Sequence, residues 1–184
     1  MDCCMELLEV DSSWGLYVAP LGYGDDERFA ALFRETWNMI PAEHRSLLNG
    51  LWRERRGPKD LQGEMAPIPR IALLPRQSPG FEQGPSAHAV AQSRLLYTEM
   101  DFAAELIDRM PPRLVRTTIA HELAHAFLHV QSSGQHTLDD YSAAEADARE
   151  WLHFGWKQSE PGDLFDEFEL DDWLGANAEE LESD

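Results

Sequence analysis

The sequence predicts an α+β domain, small and mostly helical, with a short sheet beside one long buried helix and an acidic C-terminal tail. Three observations carry that prediction. Apolar residues recur at helical spacing over long stretches, as in Phe29, Leu32, Phe33, Trp37 and Ile40. Only short runs have strand character, among them "RIALL" and "SRLLYTEM". From Glu160 to the end there are eleven acidic residues and no Lys or Arg.

Taken in order, "WGLYVAPLGYG" reads as a short strand or extended segment that ends in glycine turns. "DDERFAALFRETWNMI" is a helix stopped by Pro41, and "PAEHRSLLNGLWRERRG" is a second one. "MAPIPRIALLPRQSPGFEQGPSA" is rich in Pro and Gly, so only its "RIALL" is strand and the remainder is loop. "SRLLYTEM" is another strand, and "DFAAELIDRM" a short helix capped by Asp101. Pro111 and Pro112 then launch a helix over Arg113–Val130, since proline is tolerated in a first turn. "QSSGQH" breaks it, and a further helix runs from about Leu138 to Trp156. The last segment alternates acids with Phe165, Phe168, Trp173 and Leu174, and its final ten residues have the composition of a disordered end.

A chain of 184 residues suits one domain with a tail, here 1–158 and 159–184. The net charge of −19 is uneven. The tail holds −11 of it, whereas seven basic residues lie between Arg45 and Arg76. Overall acidity argues against nucleic acid as a partner. The only cysteines, Cys3 and Cys4, are adjacent and cannot staple a fold. The first ten residues lack a signal-peptide pattern, and no apolar run is long enough to span a membrane. These features give a cytoplasmic expectation.

The stretch "TTIAHELAHAFLHV" concentrates the chemistry. On a helical wheel its apolar residues cover nearly the whole circumference, which is the pattern of a buried helix. The polar strip left over is narrow and holds Thr118, His121, Glu122, His125 and His129. His121 and His125 are one turn apart, so both imidazoles project from one face, as two corners of a tetrahedral zinc site require. Glu122 is rotated by about 100° and is suited to act on a water at the metal rather than to ligate it. His129 lies too far along the axis to complete a compact site.

A third ligand must come from another element. With Glu145 at the origin of a wheel, Leu138, Leu152 and Trp156 fall within about 20° and Tyr141 within about 40°. Asp147 and Glu150 fall on the opposite, outward side. An acid on the inward face of a helix calls for a metal or a cation, although "SAAE" also fits a capping box and Arg149 is one turn away.

His121-Glu122-x-x-His125 followed by Glu145 resembles the gluzincin arrangement of zinc metallopeptidases. The texts "TIAHELAHAFLH" and "EADAREW", after the strand "SRLLYTEM", are most similar to the small ImmA/IrrE-like minimal gluzincins. The likeness covers about Arg94 to Trp156. It implies a zincin-like fold, one zinc ion per chain held by His121, His125 and Glu145, and Glu122 as general base in peptide hydrolysis. Candidates for a stabilising donor are Tyr141, His129, His136 and His153. The chain has Leu128 and Gln131 where metzincins carry Gly and His. SprT-like proteases use a histidine as third ligand, and His136 or His153 would serve there. The implied partner is a protein or peptide substrate. The alternative is a non-catalytic zinc-containing regulatory protein that docks a partner through its acidic tail. That tail could also fold back on the basic middle of the chain, or be a solvated extension.

Overall fold

Two short strands, β1 (Leu8–Asp11) and β2 (Leu16–Ala19), form an antiparallel hairpin in this computed structural model. The structure describes residues 7–54, 69–78, 91–94, 99–131, 146–152, 173 and 175–177, with 53–54 and 91–94 by backbone alone. The hairpin turn is built from side-chain chemistry. Asp11 Oδ1 accepts hydrogen bonds from both the amide and the hydroxyl of Ser13, and Gly15 takes the positive φ of 67° that closes the loop.

The periodic segment next in sequence is α1 (Asp26–Met39). Its N-cap is Asp25, whose carboxylate accepts the Arg28 N–H at 3.0 Å. The approach to it is tight, because a Cβ on Gly24 would stand 2.9 Å from the Asp108 carboxylate. After Pro41 the chain re-enters helix as α2 (Ala42–Glu54). Together α1 and α2 form the crossover that lets β3 (Arg70–Leu74) run parallel to β2. β5 (Glu99–Ala103) is parallel to β3, and β4 (Ala91–Arg94) pairs antiparallel with β5. The sheet order is β1-β2-β3-β5-β4, so β4 is an edge strand. α3 (Ala104–Arg109) and α4 (Pro112–Gln131) complete the elements that position the site.

The architecture is mixed α+β, with five strands among the described residues where sequence patterning suggested two or three. "SRLLYTEM" is not one strand. Its ends belong to β4 and β5, and residues 95–98 lie outside the described residues. Asp101 is not a helix cap either. It sits within β5, fully buried, and Arg70 of β3 donates to both its carboxylate oxygens, at 2.8 and 3.0 Å. A fixed charge partner across the sheet outweighs the local capping preference. α3 consequently starts at Ala104 without a side-chain cap. Arg28 stabilises the far end of that helix by donating to the carbonyls of Ile107 and Met110.

One hydrophobic core runs from Val10 to Trp151. On the helical side of the sheet Phe102 packs on Phe29 and Phe33 of α1, with the Phe29 ring centroid 4.8 Å away. α4 lies against α1 and α2 and passes beside the edge strand β4. Residues 146–152 form a further helical segment, within the predicted helix. In the acidic tail Trp173 is partly buried and packs against the core, which excludes a wholly solvated tail at that residue. Residues 175 and 176, expected to be disordered, are helical, and Asn177 bonds back to the Trp173 carbonyl. Among the described residues no helix is long and apolar enough to cross a membrane.

Candidate active site

α4 begins as the prolines dictate. The carbonyl of Pro111 accepts from the amides of Leu114 and Val115, starting the helical ladder. Its first polar residues are structural. Thr117 and Thr118 are buried, and their hydroxyls donate to the carbonyls of Arg113 and Leu114 one turn back, at 3.0 and 2.9 Å. Arg116 pairs with Glu35 of α1 at 3.1 Å, which fixes α4 against the neighbouring helix.

Beyond this point the polar strip changes character. Glu122, His125 and His129 are buried, and His121 is half-buried. The rings of His121 and His125 meet edge to face, with centroids 4.6 Å apart. Their Nε2 atoms converge to 3.0 Å. Burial lowers the pKa of His121 to about 4, because the imidazolium is poorly solvated there. The ring is therefore neutral at physiological pH and keeps a lone pair for a Lewis acid.

The two ring nitrogens are spaced as a pair of zinc ligands would be. Two ring nitrogens each about 2.0–2.1 Å from a tetrahedral zinc stand roughly 3.3 Å apart. The observed separation of 3.0 Å is close to that spacing. Glu122, the next residue along the helix from His121, is buried as well. Among the described residues no group of three His, Cys, Asp or Glu side chains gathers that could hold a metal ion. Asp147 and His129 therefore do not close the pair into a three-residue set. Glu145, Tyr141, His136 and His153 lie outside the described residues.

The helical segment 146–152 packs its Ala148 and Trp151 into the core, and Leu152 is partly buried against it. The Trp151 ring lies 5.6 Å from that of Phe127 on α4. Glu150 is exposed, as the wheel predicts, but Asp147 is not the surface residue expected of it. It is half-buried, and one of its carboxylate oxygens is shielded from solvent without a hydrogen-bond partner among the described residues. Burial and the nearby Glu150 raise its pKa, and His44 opposes them.

His44 is the residue that sequence reading passed over. It stacks on Phe127, with centroids 4.3 Å apart and planes 26° from parallel, and accepts the Trp151 indole N–H. The available signal was its position four residues before Leu48, on the stripe that faces inward along α2.

Comparison with protein-family models, with curated proteins and with solved structures finds no match to this chain.

Proposed function

We propose that this protein is a zinc-dependent metallopeptidase of gluzincin type. The observation that carries the reading is the convergence of His121 Nε2 and His125 Nε2 to 3.0 Å on a buried helix, with Glu122 buried between them in sequence. In this reading His121, His125 and Glu145 hold one zinc ion. Glu145 enters on its sequence position alone, since it lies outside the described residues and the buried face of the segment after it is carried by Ala148 and Trp151.

Bound zinc supplies a water whose pKa is brought to roughly 7 and a Lewis acid for the scissile carbonyl. Glu122 accepts one proton from the attacking water and delivers it to the departing amine nitrogen, so that peptide plus water yields an acid and an amine. Burial of Glu122 suits that task, because a carboxylate with little water around it exchanges protons with the reacting groups in preference to bulk solvent. Tyr141, His129, His136 or His153 would donate to the developing oxyanion. β4, the outermost strand among the described residues and beside α4, offers an edge to which an extended peptide can add as a further strand.

The test is metal analysis of the purified chain together with cleavage of an unfolded protein substrate, with and without chelator. The expected result is one zinc per chain, lost in His121→Ala and His125→Ala, and cleavage that chelator abolishes. A chain that takes up no zinc overturns the reading. Zinc uptake without cleavage of any substrate favours a regulatory zinc protein instead.

A further inference from the structure

We infer that Asp26 makes the loop between β2 and α1 a proton-controlled latch, closed on the helix when Asp26 carries a proton and loosened when Asp26 ionises. The latch uses none of the residues of the proposed metal site.

The loop passes through Gly22 at a φ of 76° and enters α1 at Asp25. Three contacts hold it. Asp26 Oδ2 accepts the Gly22 N–H at 2.9 Å, and the Gly24 carbonyl accepts the Asp26 N–H at 3.0 Å. Asp108 of α3 accepts the Asp25 N–H on both carboxylate oxygens, at 3.0 and 3.2 Å. The first contact belongs to a residue that is 8% exposed. Its other oxygen, Oδ1, is shielded from solvent and has no hydrogen-bond partner among the described residues. A carboxylate kept from water with one oxygen unpartnered is costly, whereas a neutral carboxyl in the same place costs far less.

The surroundings add negative charge. Asp25 adjoins Asp26 in the chain, Glu27 follows it on the exposed side of the first turn, and Asp108 is bonded to the same stretch from α3. Arg28, the cation at this junction, turns its guanidinium to the carbonyls of Ile107 and Met110, at 2.8 and 2.7 Å. Burial therefore raises the pKa of Asp26, the Gly22 N–H opposes it, and the charges of Asp108 and Asp25 add to the rise. For an acid shifted this way the stabilisation is complete below the ordinary value of 3.8 and is lost as pH rises through the folded value. Opening the loop is the motion that lets water reach Oδ1, and it breaks the Gly22 contact. Gly22 and Tyr23 are already exposed, so the opening is local.

The test is amide hydrogen exchange of the full metal-free chain, followed by NMR between pH 4 and 7, with each rate referred to that of an unstructured amide. Protection of the Gly22 amide should fall severalfold as pH rises, while the amides of the β3–β5 ladder do not fall with it. Asp26→Asn cannot ionise and should hold the Gly22 amide equally protected across the range. If Asp26→Asn does not fold, Asp108→Asn is read in its place. It keeps an acceptor for the Asp25 amide and removes a neighbouring charge, so the fall should begin at lower pH than in the parent. Unchanged Gly22 protection in the parent overturns the latch. So does a fall that the ladder amides share, since the whole fold is then responding. A fall in Asp26→Asn equal to the parent's, or one in Asp108→Asn at the parent's pH, overturns it as well.

Discussion

Asp11 and His121 are both partly buried titratable groups whose pKa lies below the ordinary value, and the same direction means opposite things. Burial alone would raise Asp11. Hydrogen bonds from Ser13 and Trp37 and the charge of Arg45 outweigh it, so the carboxylate is held ionised. At His121 burial itself lowers the pKa, so the ring is held neutral. Around Asp11 every contact joins a donor to an acceptor: Ser13 N–H and hydroxyl to one oxygen, Trp37 Nε1–H to the other at 3.0 Å. On α4 two like atoms, Nε2 and Nε2, are brought together. A buried polar group kept for the fold is matched to its complement. Two ring nitrogens at this distance can share one proton as donor and acceptor, or share a cation, which is the reading proposed above.

The sharpest way to break this contrast is Glu122→Gln. It keeps shape and burial but cannot accept the proton. Hydrolysis should fall by about 10²–10⁴-fold while zinc uptake stays unchanged. Equal activity in parent and variant would remove Glu122 from the chemistry and leave the histidine pair as a binding site only.

How much of this was legible without a structure depends on where the determining partner lies. α1, α2 and α4 follow from their own apolar spacing, and β3 from the compact apolar run "RIALL". β4 reads "AQSR", with no apolar alternation, because an edge strand is held by pairing with β5 rather than by its composition. β1 is only four residues long, and its pairing depends on the Asp11 turn. Asp101 looked like a cap because its partner, Arg70, is 31 residues away in sequence. The histidine pair was readable because both members are on one helix at fixed spacing. His44 was not, since the Trp151 that gives it meaning is 107 residues distant. Local rules found the half of the proposed site that is local.

A second test separates the two kinds of buried charge by pH. Well above pH 6.5 His121 is neutral in folded and unfolded chains and adds no pH dependence. As pH falls from 6.5 to about 4, the unfolded chain takes up a proton that the folded ring refuses, so stability declines through that window. His121 by itself should contribute a loss on the order of 3 kcal/mol in the metal-free chain there, read from urea midpoints as the part of the decline that His121→Leu removes. Asp11 acts in a lower window. Its stabilisation is present above its ordinary pKa of 3.8 and is lost as pH falls through the lowered folded value. Asp26 and Asp147, whose pKa values burial raises, act in the opposite direction, so the decisive reading is the difference between parent and His121→Leu: equal slopes between pH 6.5 and 4 would mean that His121 is not buried as the contrast requires.

Asp11→Ala probes the other side. It strands the indole N–H of Trp37, a fully buried side chain, and removes the acceptor of the hairpin turn. A cost of about 2 kcal/mol is expected in denaturant unfolding, with zinc affinity unaltered. If zinc binding fell with stability, the hairpin and α4 would be energetically coupled, and the separation into a structural and a chemical region would fail.

The smallest expected effect is the most discriminating, because it lies on α4 itself. Thr118 belongs to the same buried polar strip as His121 and is three residues before it. Its hydroxyl donates to the Leu114 carbonyl, which the helix already supplies with an amide donor one turn on. Valine has the same branched shape, and removing the hydroxyl strands no acceptor. Thr118→Val should therefore shift stability by only about 1 kcal/mol in either direction, since one such back-bond adds little to a helix and no partner is left unsatisfied. Zinc affinity should remain that of the parent. On the proposed reading, burial on this helix does not by itself make a polar residue part of the chemistry: position relative to the two converging nitrogens does. A Thr118→Val chain with weakened zinc binding would show that the functional strip begins a turn earlier than His121.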